Sequence, residues 1–540
     1  LRFLESNDSV YAPFMNPIFA AIALSLSDPN EALMSVAERT DFSRTATYDE
    51  TVALLDALDT SSDFANRGVL GRTVQGREIP MLILSDPPVS DAVQARALSK
   101  SKGRPIVLAI GNIHGGEVDG KEALPILARE MLHGASRSLL QHIILIIAPI
   151  YNADGNEILR EGNRPGQNGP KLTGIRENAN GRDLNRDFMK LEEPETRGLV
   201  RTFDEFGAHV FIDCHITNGS YHRYVITYDG PRSPSGDPRI NDFARRIMLP
   251  QIDERFEQRT GRLAFWYGSF EGEFGEVDRG HTRWESFPAE PRFGTTYIGL
   301  RNRLSVLVES YTYAPYRERV EATRDFVHAS LEWIASNSDS ILDTINAADS
   351  APSGWRTKPE AQPVFSTRSE ARAQSERVNI AGFEEHTKDG RSVSTGIPQE
   401  YSVELMTDFV SERWVTRPRA YLIPPDARFD SIVETLRLHG IIVGAIDNAG
   451  TFEIEEYVIS TAKPASRLFQ GHALVRCETR SRITERVIDA GWRLVSLDQP
   501  LANLAQALLE PTAEDSLATW NRFDEWMRPD AEYPILRVIR

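Results

Sequence analysis

His114 and Glu117 are the first residues in this chain whose types and spacing could do chemistry. A neutral imidazole and a carboxylate three residues apart are two thirds of a His₂Glu metal site, which leaves a fourth position open for water. They follow a short apolar run, Ile106 to Ile110, and a Gly111-Asn112 turn; an amphipathic stretch, Val118 to Leu132, comes next. That pattern predicts a buried strand, a tight turn and a helix. The pair would then stand at the carboxyl end of a strand, where open α/β sheets place their chemistry. His-x-x-Glu alone is common among solvated polar residues, so a site requires further groups.

The same pattern recurs three times. Ile143 to Ile150 runs into Asn152-Ala-Asp154-Gly, Val210-Phe-Ile-Asp213-Cys-His215 ends in a histidine, and Ser305-Val-Leu-Val-Glu309 ends in an acid. In a parallel sheet these ends share one edge, and His215 supplies the missing third ligand. Side chains alternate along a strand, so Asp213 and His215 share a face while Cys214 points away. Helical spacing from Tyr48, at 118–132, at 193–206, at 241–259 and from Pro315 to about Ala347 alternates with these strands. The expectation is an α/β fold with a mixed, mainly parallel sheet covered by helices on both faces. The Gly-, Asn-, Pro- and Arg-rich stretch 160–182 reads as a long functional loop.

A chain of 540 residues exceeds what one core serves. We expect an N-terminal extension over 1–45, a catalytic domain over 46–348, a linker over 349–362 around Asp349-Ser-Ala-Pro-Ser-Gly-Trp, and a C-terminal β-rich or α+β region over 363–540 that offers no catalytic constellation. The net charge of −17 argues against nucleic acid and anionic membrane as partners. Cys214 and Cys477 build neither a disulfide framework nor a thiolate zinc cluster, so a metal must use His and carboxylate. No apolar run has the length of an integral membrane segment. Met15 to Ser27 has the composition of an export signal's apolar core but lacks a basic flank. A secreted or periplasmic location is expected, and a packed helix in a cytoplasmic protein is the competing reading.

Gly111-Asn-Ile-His-Gly-Gly-Glu, Asn152-Ala-Asp-Gly, Arg176-Glu-Asn-Ala-Asn-Gly-Arg-Asp-Leu-Asn-Arg186, the His215 strand and Ser305-Val-Leu-Val-Glu309 occur in one order. Together, over roughly 45–340, they resemble the M14 zinc carboxypeptidases. The resemblance implies one Zn²⁺ held by His114, Glu117 and His215, with Glu309 as general base and Arg176 stabilising the oxyanion. It implies that Asn185 and Arg186 grip the free carboxylate of a peptide's C-terminus, and that Asp183 orients the first zinc histidine, with Asp213 as its rival.

The chain departs from the family in places. Asn-Ala-Asp-Gly replaces Asn-Pro-Asp-Gly, Asn-Arg-Asp replaces Asn-Arg-Asn, and Ile-Thr-Asn-Gly-Ser-Tyr follows His215. No tyrosine stands at the usual distance before Glu309, and Tyr297 is the nearest substitute. Two other functions compete with the carboxypeptidase reading. One is a zinc amidohydrolase resembling aspartoacylase and succinylglutamate desuccinylase, toward which Asp213-Cys-His-Ile-Thr leans; the other is an inactive peptide- or glycan-binding envelope protein.

Overall fold

Alternating apolar strands decide the architecture. Ile106, Leu108 and Ile110 pack into one core while Val107 and Ala109 pack into another, so the strand that carries them is covered on both faces. The computed structural model describes residues 31–217, 219–271, 281–354, 364–388 and 391–539. Its main sheet has eight strands: β1 (Ala65–Arg72), β2 (Glu78–Leu84), β3 (Ile106–Gly111), β4 (Ile144–Ala148), β5 (Val210–Thr217), β6 (Ile226–Asp229), β7 (Ala264–Trp266) and β8 (Leu304–Tyr311). The spatial order is β1-β2-β4-β3-β5-β8-β6-β7. The central four, β4-β3-β5-β8, run parallel, and antiparallel strands flank them.

One face is covered by α1 (Tyr48–Thr60), α2 (Asp119–His133) and, further along, a helix over Leu249–Thr260, with Leu55, Leu127 and Ile252 fully buried there. The other carries α3 (Pro194–Phe206) and α4 (Gly294–Leu300). α3 follows proline at its first turn and stops at Gly207, the start and stop chemistry that helices favour. The stretch expected as one helix from Pro315 to Ala347 is two, α5 (Tyr316–Ser336) and α6 (Ser338–Gly354), broken at Asn337.

α6 corrects the linker expectation. Residues 349–354 are helical, and Ala348 and Pro352 are buried, so the chain does not loosen at Asp349. The rest of that stretch, like the proposed export signal at 15–27, lies outside the described residues. The part of the N-terminal extension that is described, 31–45, is folded: Glu122 of α2 accepts hydrogen bonds from Thr45 Oγ1 at 2.8 Å and the Ala46 amide at 2.7 Å.

The C-terminal region is built on long strands, β9 (Val364–Arg372), β10 (Arg377–Lys388), β11 (Arg391–Met406), β12 (Asp408–Thr416), β13 (Ala420–Ile423), β14 (Gly450–Pro464), β15 (Val475–Ile488), β16 (Arg493–Ser496) and β17 (Leu536–Val538). Within the apolar run Ile441 to Ile446, Gly444–Ala445 forms a short strand. Tyr421, Ile423, Leu436 and Leu508 share one apolar core with Leu199, Phe203 and Tyr297 of the first region. The two regions are therefore packed together through a common interior, each fully buried aliphatic side chain contributing roughly 1.5–3 kcal/mol. No helix among the described residues is long and apolar enough to cross a membrane.

Candidate active site

The turn after β3 is held by one side chain. Asn112 adopts a left-handed backbone (φ 65°), and its Nδ2 lies within 3.0–3.3 Å of the carbonyls of His114, Gly115 and Glu117. A β-carbon on Gly115 would come within 2.4 Å of the Gly155 backbone, so the turn requires glycine there to seat against the neighbouring loop. Asn152, after β4, donates from Nδ2 to the carbonyls of Ile113 and Arg176, both at 3.2 Å. It thereby ties the histidine turn to the loop that carries the arginine. Asp154 serves elsewhere: it anchors the β1–β2 turn by accepting from Thr73, the Gln75 amide and Arg77.

The resulting geometry brings His114, Glu117 and His215 together. Their donor atoms all lie within 4.8 Å of one another, and all three residues are buried. His114 Nδ1 stands 2.9 Å from Glu117 Oε1, and His215 Nδ1 stands 3.1 Å from Oε2. Both histidines thus point the same ring nitrogen at one carboxylate. Behind them, His114 Nε2 is 3.2 Å from Asp183 and His215 Nε2 is 2.9 Å from Asp213. The either–or between Asp183 and Asp213 dissolves, because each acid backs a different imidazole. Carboxylates in that position fix ring orientation and raise ligand basicity.

The parallel register pairs Glu309 on β8 directly with His215 on β5. Burial pushes the Glu309 carboxyl up to about 8, with His215 and Arg176 opposing and Glu117 and Asp213 adding to the rise. Burial also works against charge on His215, but Asp213, Glu117 and Glu309 outweigh it and raise the imidazole well above its usual range. The guanidiniums of Arg164, Arg176 and Arg186 pair with Glu117 and Asp183, while Asp213 backs His215. Two imidazoles and a carboxylate converging in a buried pocket are donors that a divalent cation takes, and a His₂Glu donor set suits zinc.

His114, Glu117, Arg164, Arg176, Asp213, His215 and Glu309 line a cavity of about 220 Å³ together with Asn185, Arg186, Tyr267, Phe287, Phe293, Thr295 and Leu307. Arg176 donates to Asp183 from Nε at 2.9 Å and places Nη1 3.8 Å from Glu117. Arg186 stacks on Phe293, its guanidinium carbon 4.3 Å from the ring centre. Asn185 accepts from the Gly294 amide at 2.9 Å. The loop 160–182 is clamped by fully buried Arg319, which donates to the carbonyls of Asn168 and Gly169 at 2.7 and 2.6 Å.

Tyr297 is not brought to the cavity. Its ring is fully buried between Phe188 and His439, and its hydroxyl donates to His439 Nδ1 at 2.8 Å while accepting from Arg301. It sits one turn inside α4, whose residues all face the interior. The phenol that lines the cavity is Tyr267, reached through β7 and absent from the sequence expectation. Arg164 was missed too, although it stands 2.9 Å from Glu117 Oε1. Its side chain fills the space that a β-carbon on Gly116 would take, so the second glycine of His-Gly-Gly-Glu was the available signal.

The sequence around this site is similar to that of known proteins. The sequence profile of the zinc carboxypeptidase family matches residues 51–218. Carboxypeptidase D of Mus musculus is 34% identical over 179 residues, which are 28% of this chain and 13% of that protein, so the chain spans about an eighth of that relative's length. Carboxypeptidase 2 of Trichophyton rubrum is 22% identical over 494 residues, covering 86% of this chain and 81% of the fungal protein. A metallo-carboxypeptidase structure from Burkholderia cenocepacia aligns with a TM-score of 0.40 at 18% identity, over 54% of this chain and 70% of its own. The match to the zinc carboxypeptidase family thus covers the segment, residues 51–218, that carries His114, Glu117 and His215.

Proposed function

We propose that the protein is a metallocarboxypeptidase that hydrolyses the C-terminal bond of peptides, with His114, Glu117 and His215 as its zinc ligands. The observation that carries this reading is the convergence of those three donors beside Glu309, which the sheet register sets next to His215. Bound zinc would supply Lewis acidity and lower the pKa of a coordinated water toward ~7. Glu309 takes the proton of the attacking water and delivers it to the leaving amine, a role worth ~10²–10⁴ in rate. Arg176, held by Asp183, presents its guanidinium where the oxyanion develops. Asp183 and Asp213 keep the imidazoles oriented.

Asn185 and Arg186 bind the substrate's terminal carboxylate, Arg186 as a planar fork backed by Phe293. The terminal side chain then lies against Phe287, Phe293, Thr295 and Leu307. The acids lining the cavity are Glu117, Asp213 and Glu309, which have partners or roles already, so this reading favours an uncharged apolar terminal residue over lysine or arginine. Residues 15–27 support an exported location.

Paired peptides, one with a free C-terminus and one amidated, test the reading. Cleavage confined to the free acid is expected. Equal cleavage of both sinks the Arg186 clamp and transfers support to the amidohydrolase reading, which Asp213-Cys-His-Ile-Thr favours. Zinc stoichiometry near zero in metal-replete protein would instead support a binding protein without catalysis.

A further inference from the structure

β14 and β15 are joined by a hairpin tip that leaves its own sheet and ends against the active-site segment. Phe469 and His472 exchange backbone hydrogen bonds at 2.8 and 3.0 Å, with Gln470 and Gly471 between them. Both central residues have positive φ, 53° and 87°, as a two-residue turn of this type requires. Its φ favours glycine at the second, where a β-carbon would also have to displace the Arg182 guanidinium, 2.4 Å away. Glutamine at the first is costly. Asparagine and glycine enter the left-handed region more easily than a long side chain does. A non-glycine residue held in a disfavoured conformation points toward a use for its side chain.

That side chain reaches Asp183. Gln470 Oε1 accepts the Asp183 backbone N–H at 2.9 Å. Asp183 in turn stands 3.2 Å from His114 Nε2, accepts from Arg176, and caps its own turn by accepting the Asn185 amide at 2.9 Å. Neighbouring contacts grip the same wall: His472 Nε2 lies 3.0 Å from Glu192, and Lys190 lies over the Trp520 ring. The opposite wall is held by Asp515, which accepts from the Arg292 backbone at 2.8 Å and side chain at 3.0 Å, one residue before Phe293.

We propose that the C-terminal region completes the active site, with Gln470 as a positioning residue that fixes the Asp183 carboxylate and, through it, His114 and Arg176. The proposal rests on the metallopeptidase reading. Gln470 touches neither substrate nor metal; it acts by fixing the backbone from which Asp183 projects. Two methylenes are needed to span the gap, which is why a residue uncomfortable in the turn occupies it.

Three variants separate this role from a merely structural one. Gln470→Gly and Gln470→Asn relax the turn, so their Tm is expected to equal or exceed that of the parent protein. Both lose the contact to Asp183, so zinc affinity measured by chelator competition and kcat on a free-acid peptide should each fall roughly tenfold. Gln470→Glu keeps an acceptor oxygen at the same reach and should restore most of both. Parent-like zinc affinity and kcat in the glycine and asparagine variants would overturn the proposal. A Tm loss that tracks the activity loss would also overturn it, because the turn would then be only structural. If the parent protein itself neither binds zinc nor cleaves peptides, it is the underlying reading that fails.

Discussion

The catalytic sheet and the C-terminal region both bury ionisable side chains, yet they use them in opposite ways. At the carboxyl edge of β3, β5 and β8, buried groups face a common point: two imidazole Nδ1 atoms aim at Glu117, and Glu309 looks on from the next strand. In the C-terminal core they face one another. Glu510 forms an ion pair with Arg537 Nε at 2.9 Å and accepts from the Tyr421 hydroxyl, and Arg537 also pairs with Glu455. A pair that faces itself offsets its own charge. An open set whose donor atoms converge on one point is completed by a partner, and that incompleteness marks a site more reliably than burial does.

Matched amide substitutions should break the comparison most sharply. Glu309→Gln is expected to keep zinc and Tm while kcat falls by ~10²–10⁴, since only the proton carrier is removed. Stopped peptide assays and metal analysis on one preparation would check it; parent-like turnover sinks the mechanism. Glu510→Gln should do the reverse. It weakens the pairing of a buried guanidinium and should lower stability by about 3 kcal/mol, read by urea unfolding, with kcat per folded molecule unchanged. An equally strong fall in kcat would show that the two regions are not divided as described.

Metal removal sharpens the same contrast. Zinc that binds only the folded state should stabilise by about 4 kcal/mol at a free concentration a thousand times its Kd. Chelation should therefore lower the Tm of the parent protein and leave that of a His114→Ala, His215→Ala double variant unmoved. An identical response in both would mean that the stabilising ion sits elsewhere.

How legible each region was in sequence follows from the same physics. β3, β5 and β8 announce themselves as apolar runs ending in polar residues, and the parallel sheet does the rest by aligning their ends. His114, Glu117, His215, Arg176, Asn185, Arg186 and Glu309 were all read this way or through the family resemblance they carry, and one cavity gathers them. Tyr297 was misplaced because sequence distance to Glu309 cannot tell a cavity wall from the buried side of α4. Tyr267 and Arg164 reach the site from segments with no periodic signal of their own. Gln470 could not have been found from spacing, since it lies 287 positions from the backbone group it holds. Asn337, which splits the long helix, lacks the proline or glycine that usually announces a break.

The smallest expected effect lies in the seam between the regions. His439, from the C-terminal side, accepts from the Tyr297 hydroxyl through Nδ1, and its Nε2 donates to the Met189 carbonyl at 3.2 Å, so its neutral form is fully used. Burial, with Arg301 adding, pushes its imidazole down to about 3. The folded value lies below the ordinary one near 6.5, so the unfolded chain binds the proton first. The stabilisation is thus complete above about pH 6.5 and is lost progressively as pH falls toward the folded value. Between pH 7.5 and 5.5 this one histidine should cost about 1.4 kcal/mol, a tenfold change in the unfolding equilibrium. His222 and His209, held down to about 3 and about 4 by burial within the first region, should add similar slopes. Urea unfolding of the parent and of His439→Gln at both pH values separates the terms. The variant should begin less stable at pH 7.5 and lose less on acidification. Parallel losses in the two proteins would place the acid sensitivity in the catalytic sheet and leave the seam indifferent to protons.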